Sequence, residues 1–551
     1  MPSDSPVART GRFWPWSILW GVLFAVAHTQ SPLYYSNQHQ YLLHGLANAG
    51  VGYLNEDWLA NTKDPTPAFS ALVTVSYKLF GPFAIQAIYF VLLGVYFESV
   101  RRLIVAVPGF PDHGPAHILF LTGFLAVHAA ILRVAATRWT GVDWPWYLQC
   151  GLANQYVLGP GLQPSAFGVL LITSLAAFAN GRPVLAAALA AASAVMHSTY
   201  LLPAGMMTLG YMLMLCWEGH GRRALGAGAL ALAIVLPVII YNVRAFSLSD
   251  SDDLQSAQQI LVETRIPHHA QVAYWLDAVA WIQIAVMIVG VALVWRSRVF
   301  PVLALCAIAC AILTIVQALT GNRTLALLFP WRFSAVLMPI ATAVILAKVA
   351  QGIGRLVEGR ELLRRSLVWV CGLVAVGLAA AGIAVTVRGI GYAMNDAELP
   401  LLDYVRDHKK PGEVYLLPVK FPTIKKETPA LQSKTFAPPV RTGGPGIPVD
   451  LQRFRLHTGA PIYVDFKAVP YAPAELQEWV NRMVACEKYY AEQDWDGPEP
   501  WPTWRKVQSL GVTHVVTTAD RELTGQMLEL VYSDDSYRLY RLRSPTQEPP
   551  H

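Results

Sequence analysis

The chain of 551 residues is 54% hydrophobic and only 14% charged, with a mean hydropathy of +0.38. Ordinary soluble domains carry about 25% charged residues, so these values exclude a soluble globular protein and point to a polytopic membrane protein. The net charge of +6 is small for the length, and no basic stripe with interleaved aromatics appears, which argues against a nucleic-acid partner.

The first apolar run, Trp14 to Thr29, follows Arg9 and Arg12 and lacks a small-residue cleavage site. It reads as a retained span entered from a cytoplasmic amino terminus. The next stretch, residues 34–67, is too polar to cross a bilayer. Asn37, Tyr41, His44 and Asn48 recur at helical spacing and would share one stripe. Leu42, Leu43, Leu46 and Ala49 fall largely off it, as in a helix lying in the membrane surface. Glu56, Asp57, Lys63 and Asp64 follow, before Pro65. Acids and amides directly after a first span suggest a reaction or binding site. Equally, Asn55 or Asp57 would cap a short helix starting near Trp58.

After a short apolar segment and a Gly81-Pro82 break, spans are expected at about 83–97, 116–132, 165–179, 184–200, 201–217, 225–241, 275–295, 299–319, 333–350 and 367–387. With the first run these make about eleven. The short turns on one side carry Arg101/Arg102, Arg182, Arg222/Arg223, Arg296/Arg298 and a cluster of Lys348, Arg355, Arg360, Arg364 and Arg365. Basic short turns belong on the cytoplasmic side, so the opposite loops and the carboxyl-terminal part should face outward.

Those outer loops, 34–67, 137–164, 242–274 and 321–332, are long and hold nearly all the acids. Elaborated loops on a rigid scaffold are where function concentrates. The second supplies Arg138, Asp143 and Gln155 among aromatics (Trp139, Trp144, Trp146, Tyr147) that suit an interfacial belt. His197, at the outer end of its span, reads as a packing residue. The third should hold a helix over Leu254–Thr264 with Asp250, Asp252 and Asp253 at its positive end. Arg265, His268 and His269 follow; adjacent histidines point apart, so Arg265 with one histidine suits a phosphate better than a metal. The fourth brings Arg323 and Arg332 to the same face. With Arg244 and Arg265 they make an outward-facing anion site reasonable, although snorkelling accounts for each alone.

From about residue 391 the spans stop. ELPLLDYVRDH reads as helix, EVYLLPV, PIYVDF and THVVTTA as strands, AELQEWVNRMVACEKYYAEQ as an amphipathic helix, and LELVYSDDSYRLYRL as a hairpin turning at Ser533–Ser536. Alternating helices and strands imply a small α/β domain over residues 391–551. Its GGPG segment lacks the ending of a phosphate loop. Arg441, Arg453, Arg455 and Lys467 read as solvated loop residues. Of six cysteines only Cys150 and Cys486 should meet an outer aqueous phase, which leaves a disulfide between them open.

NQHQYLLHGLANAG, LNEDWLANTKDPTP, QYVLGPGLQPSAFG, RIPHH and FRLHTGAPIYVDFKAVPY resemble an uncharacterised bacterial family of polytopic proteins, itself similar to the GT-C superfamily of membrane glycosyltransferases. The resemblance implies an α-helical polytopic fold of about eleven spans in a bacterial inner membrane. Residues 1–390 would form the transmembrane domain, with a small α/β domain on the outer face. It further implies transfer of a sugar from a polyprenyl-phosphate-linked donor to an envelope acceptor, so the partners are membrane lipid and that donor. Asp57, or Glu56 beside it, would be the general base. Arg265, Arg323 and Arg332 would receive the leaving phosphate, and Asn37, Tyr41, His44, Asp64 and His268 would complete the substrate site. A divalent ion on Asp57 and Asp64 is optional in this scheme. The competing reading is a non-enzymatic envelope-assembly scaffold or transporter whose outer domain binds glycans or a partner.

Overall fold

The computed structural model describes residues 14–246, 251–391, 395–421, 451–491, 506–525 and 527–543. Arg9, Arg12, Asp250 and the Pro/Gly-rich stretch with Arg441 lie outside them. Among the described residues six helices are long and apolar enough to cross a membrane: Phe83–Val105, Ser198–Trp217, Gly221–Phe246, Phe300–Thr320, Arg323–Leu356 and Glu361–Val387. A further pair, Pro115–His128 and Ala130–Thr140, meets the same test jointly but bends by 61°. Shorter apolar helices run over Trp16–His28, Pro164–Ala179, Pro183–Met196 and Ala278–Leu293. The chain is therefore a mostly helical multi-pass membrane protein.

Local chemistry sets the helix ends. Pro67, Pro115 and Pro183 occupy first turns, where a missing N–H costs nothing. Gly141 and Gly321 take left-handed conformations just past the ends of their helices. Large apolar side chains such as Leu213, Ile288, Ile312 and Leu373 stay exposed, as lipid contact requires. Helices approach closely at small residues: a side chain on Gly382 would meet the Val26 carbonyl, and one on Gly290 would meet Ala341.

The long polar loops are packed against this bundle. Residues 38–49 form two short helices, Gln38–Tyr41 and Leu43–Ala49, and both are largely buried. The expected membrane-surface helix is thus corrected: Gly45 lets Leu43–Ala49 press onto Val73 of helix Pro67–Phe80, leaving no face for lipid. In the third loop, helix Ser251–Gln259 passes into a single π-helical stretch, Ile260–Arg265. Such a π turn shifts the direction of the side chains that follow and recurs at functional sites.

The carboxyl-terminal part holds a four-stranded sheet: β1 (Tyr415–Leu416), β2 (His514–Thr518), β3 (Leu528–Ser533) and β4 (Tyr537–Leu542), in the order β1-β2-β4-β3. β1 pairs parallel to β2, and β3 and β4 form the expected hairpin. One expectation changes: PIYVDF contributes one bridge, Tyr415 to Ile462, rather than a strand. The preceding FRLHTG contains helix Phe454–Thr458. Helix Pro473–Ala491 lays Leu476, Trp479, Met483 and Cys486 into this core. Cys150 and Cys486 are both buried and free, in separate apolar clusters, so no disulfide joins them.

Candidate functional site

The carboxyl-terminal part is fastened to the first long loop by polar contacts centred on residues 452–475. Asp57 is wholly buried. Its Oδ2 accepts from Arg455 Nε at 2.9 Å and from the Ile462 N–H at 3.0 Å. Its Oδ1 accepts from the Leu59 N–H at 2.9 Å, capping the turn Leu59–Asn61. Arg455 Nη1 lies 2.9 Å from Asp465 Oδ2, so one buried guanidinium bridges two carboxylates. Nearby, the Gln40 side-chain amide donates to Val469 O at 3.0 Å and accepts from the Val469 N–H. Tyr53 N–H donates to Gly459 O at 2.8 Å, and the Lys63 N–H to Glu475 at 3.0 Å.

Beneath these clamps lies a cavity of about 1000 Å³. The first loop lines it with Asn37, Gln40 and Tyr41, the second with Asn154, Gln155, Tyr156 and Gln163, and the third with Arg265, His268, His269 and Asp277. His197 and Thr199 enter from the end of one helix, Arg332 from the fourth loop, and Phe466, Lys467 and Tyr471 from the carboxyl-terminal part. Its size is at the upper end of small-ligand sites.

Three cations face this space: Arg265, Arg332 and Lys467. None lies within ion-pair distance of a carboxylate among the described residues. Arg332 is buried, donates to His197 Nε2 at 3.2 Å and sits over the Tyr200 ring. Arg265 Nη2 donates to the Lys467 carbonyl at 2.5 Å, and its guanidinium lies 4.9 Å from the Phe466 ring centre. The Nε atoms of both arginines are buried without a hydrogen-bond partner, as are His197 Nδ1, Gln163 Nε2, Ser165 Oγ and Thr199 Oγ1. Buried polar atoms left unpaired cost about 1–3 kcal/mol each, so a cluster of them marks where a polar ligand would be held.

Burial, then the neighbouring Arg265 and Lys467, pushes the His268 imidazole down to about 4. Burial also lowers Lys467 to about 7, with Arg265 adding to the shift and Asp465 opposing it. Tyr471 is pushed upward by burial, while Arg265 and Arg332 both pull its phenol the other way. The two guanidinium groups therefore act on one point of the cavity.

The backbone is strained here as well. Among the described residues, seven non-glycine positions have positive φ, and four of them line the cavity: Ser36 (52°), Ala153 (56°), Asn154 (54°) and Phe329 (46°). His269 Nδ1 contacts Ala153 O at 2.8 Å, tying the third loop to one of these points. Left-handed non-glycine residues persist only where surrounding structure holds them, and they cluster at ligand sites.

Of the residues selected from the sequence, Asn37, Tyr41, Gln155, Arg265, His268 and Arg332 line the cavity. Asp57, Glu56, His44, Asp64, Arg323 and Asp143 do not. Asp57 is corrected from base to structural anchor: both oxygens are committed and no surface remains for an acceptor hydroxyl. Exposed Glu56 accepts from the Gly412 N–H at 2.7 Å. His44 is buried against Thr62 O, Asp64 caps the Thr66 N–H at 2.8 Å, and Arg323 pairs with Glu263 on the surface at 2.6 Å. Of the two acids envisaged for a divalent ion, Asp57 has both oxygens committed to hydrogen bonds and Asp64 accepts from the Thr66 N–H. Asp143 is likewise used internally, paired with Arg133 at 2.8 Å.

Sequence reasoning missed Lys467, Phe466 and Tyr471 as cavity residues and Arg455 as the partner of Asp57. Residues 446–486, which span all of these except Asp57, match a family described as a domain of unknown function (DUF6798). No curated protein matches the chain.

Proposed function

We propose that this chain is a GT-C-type membrane glycosyltransferase whose cavity holds the phosphate and sugar of a polyprenyl-phosphate-linked donor. The observation that carries the reading is the convergence of Arg265 and Arg332, from loops far apart in sequence, on a space where, among the described residues, no carboxylate forms a salt bridge with either. Preorganised cations stabilise charge developing on a leaving phosphate. The exposed apolar helices give a lipid tail its medium.

In this reading the six long helices, the bent pair and the four shorter ones make eleven spans. The basic turns face the cytoplasm of a bacterial cell, and the carboxyl-terminal domain lies on the outer side. A cytoplasm-only reporter should be active when fused at Arg222 and silent at Pro400. Activity at both positions would refute the orientation.

The proton acceptor is then a different residue from Asp57. Asp277 is the carboxylate among the lining residues, and its Oδ1 accepts the Ala280 N–H at 2.9 Å. Asparagine keeps such a helix cap. Asp277→Asn should therefore leave folding and donor binding intact while lowering sugar transfer by about two orders of magnitude, the usual contribution of a general base. Unchanged turnover would remove Asp277 from the reaction. Arg332→Gln should weaken donor binding at least about tenfold, measured by native mass spectrometry of nanodisc-embedded protein.

The commitment of Asp57 to Arg455 favours a second reading, in which the same cavity binds a lipid-linked glycan for envelope assembly without turning it over. Donor binding with no sugar release across acceptor preparations would select it.

A further inference from the structure

Resting on the donor-binding reading, we propose that the donor's phosphodiester sits between Arg265 and Lys467, in a subsite that the third outer loop and the carboxyl-terminal domain form jointly. The sugar hydroxyls then point toward Gln163, His197 and Thr199.

Arg265 is anchored to the Lys467 main chain through Nη2 and braced on the Phe466 ring, while its buried Nε has no partner. The guanidinium is thus held in place with a donor unspent. Lys467 lines the same space beside Arg265 and has no carboxylate within ion-pair distance among the described residues. Asp465, two residues earlier, is already shared between Arg455 Nη1 and the Ala468 N–H. Two like charges side by side repel, and a bound phosphate relieves that repulsion.

The second lobe has different chemistry. Ser165 O accepts from Tyr200 OH at 2.7 Å, Arg332 stands over Tyr200 and contacts His197, and Asn37 donates to Tyr156 OH at 3.2 Å. Beside the Arg332 guanidinium, the unpartnered Gln163 Nε2, His197 Nδ1 and Thr199 Oγ1 add uncharged donors and acceptors to the cavity lining. That is suited to hydroxyl groups rather than to a second phosphate.

The arrangement makes binding depend on pH in a defined direction. Burial and Arg265 bring Lys467 to about 7. Its ammonium is present below that pH and is lost above it, so affinity for an anion falls as pH rises. The surrounding groups do not mask this. His268 is lowered to about 4, and His39 and His269 are also held well below their ordinary value by burial, so these rings are neutral in the window. Arg265 stays charged. Asp465 is raised by burial and opposed chiefly by Arg455, to which it is bound. A phosphodiester carries one negative charge throughout, unlike a phosphomonoester with a second ionisation near 6.

The test measures binding of polyprenyl-phosphate-linked glucose in nanodiscs, and of the same head group on a short, soluble prenyl chain, between about pH 6 and about pH 8.5. For the native chain, affinity should fall roughly tenfold across this range, the scale of one charge-assisted hydrogen bond. Lys467→Gln should bind at the weaker level at every pH, and Lys467→Arg should bind tightly at every pH. Equal binding of both head-group carriers assigns recognition to the phosphate and sugar; preference for the lipid form adds a tail contact to the same subsite. A flat native profile, or Lys467→Gln binding like the native chain, overturns the subsite and leaves donor binding standing. Absence of binding by the native chain at any pH overturns the donor-binding reading itself. Lys467→Thr, gauged against Lys467→Gln, guards against misfolding: loss of binding in both with native thermal stability supports the assignment.

Discussion

Arg455→Met should loosen the carboxyl-terminal part from the loop that carries Asp57, at a cost of about 3–5 kcal/mol. The substitution removes the shared partner of Asp57 and Asp465, leaving two buried carboxylates facing each other. Asp57 is inaccessible to water and retains only backbone donors, which cannot neutralise it. Limited proteolysis should cut the linker regions of Arg455→Met under conditions where the native chain resists, and thermal unfolding should begin earlier. A variant as resistant as the native chain would show that the network contributes nothing to docking. Asp57→Asn belongs to the same test: loss of activity there reports a displaced domain, and it should track the proteolysis result.

The second large effect is expected at Gly52. Its φ is +54°, and a Cβ there would lie 2.3 Å from the Gly459 carbonyl oxygen and 2.9 Å from its carbon. Both chains at this point are backbone, anchored by the Tyr53 N–H to Gly459 O hydrogen bond, so neither can yield cheaply. Left-handed strain and overpacking together put Gly52→Ala above about 2 kcal/mol. Gly50→Ala is the control. It is also left-handed, at φ +82°, but nothing lies within 4 Å of its added carbon. It should cost only about 1 kcal/mol. Equal effects of the two would mean that the close approach to Gly459 is not part of the native packing.

How far the sequence discloses this protein depends on the range of the interaction concerned. The apolar runs are local and form helices where hydropathy places them, although the run at 116–132 breaks at Ala129, where its two helices bend by 61°. Arg265, His268 and Arg332 are legible because polar residues at the ends of apolar runs can be assigned to one face by counting turns. Asn37 and Tyr41 follow from helical spacing, yet His44 on the same stripe turns away because the helix breaks at Leu42. The acidic pair after the first span was misleading for a physical reason. Asp57 and Arg455 are 398 residues apart, so nothing near Asp57 signals that its charge is already balanced. Lys467 is hidden in the same way: a lysine in a domain loop reads as solvated until the domain is folded down onto the membrane part. Even so, FRLHTGAPIYVDFKAVPY contains Arg455, Asp465 and Lys467 within a short stretch. An Arg, an Asp and a Lys amid apolar and aromatic residues are a signature of paired or ligand-facing charge.

The proposed phosphate is held under the carboxyl-terminal part by guanidinium groups from the long loops. An experimental density map of the full chain in nanodiscs, with polyprenyl-phosphate-linked glucose bound, examines that most directly. The expected result is phosphate density within hydrogen-bonding distance of Arg265, with Asp57 still closed against Arg455. Phosphate density beside an opened Asp57, or a cavity filled by protein side chains with the lipid bound elsewhere, would contradict it.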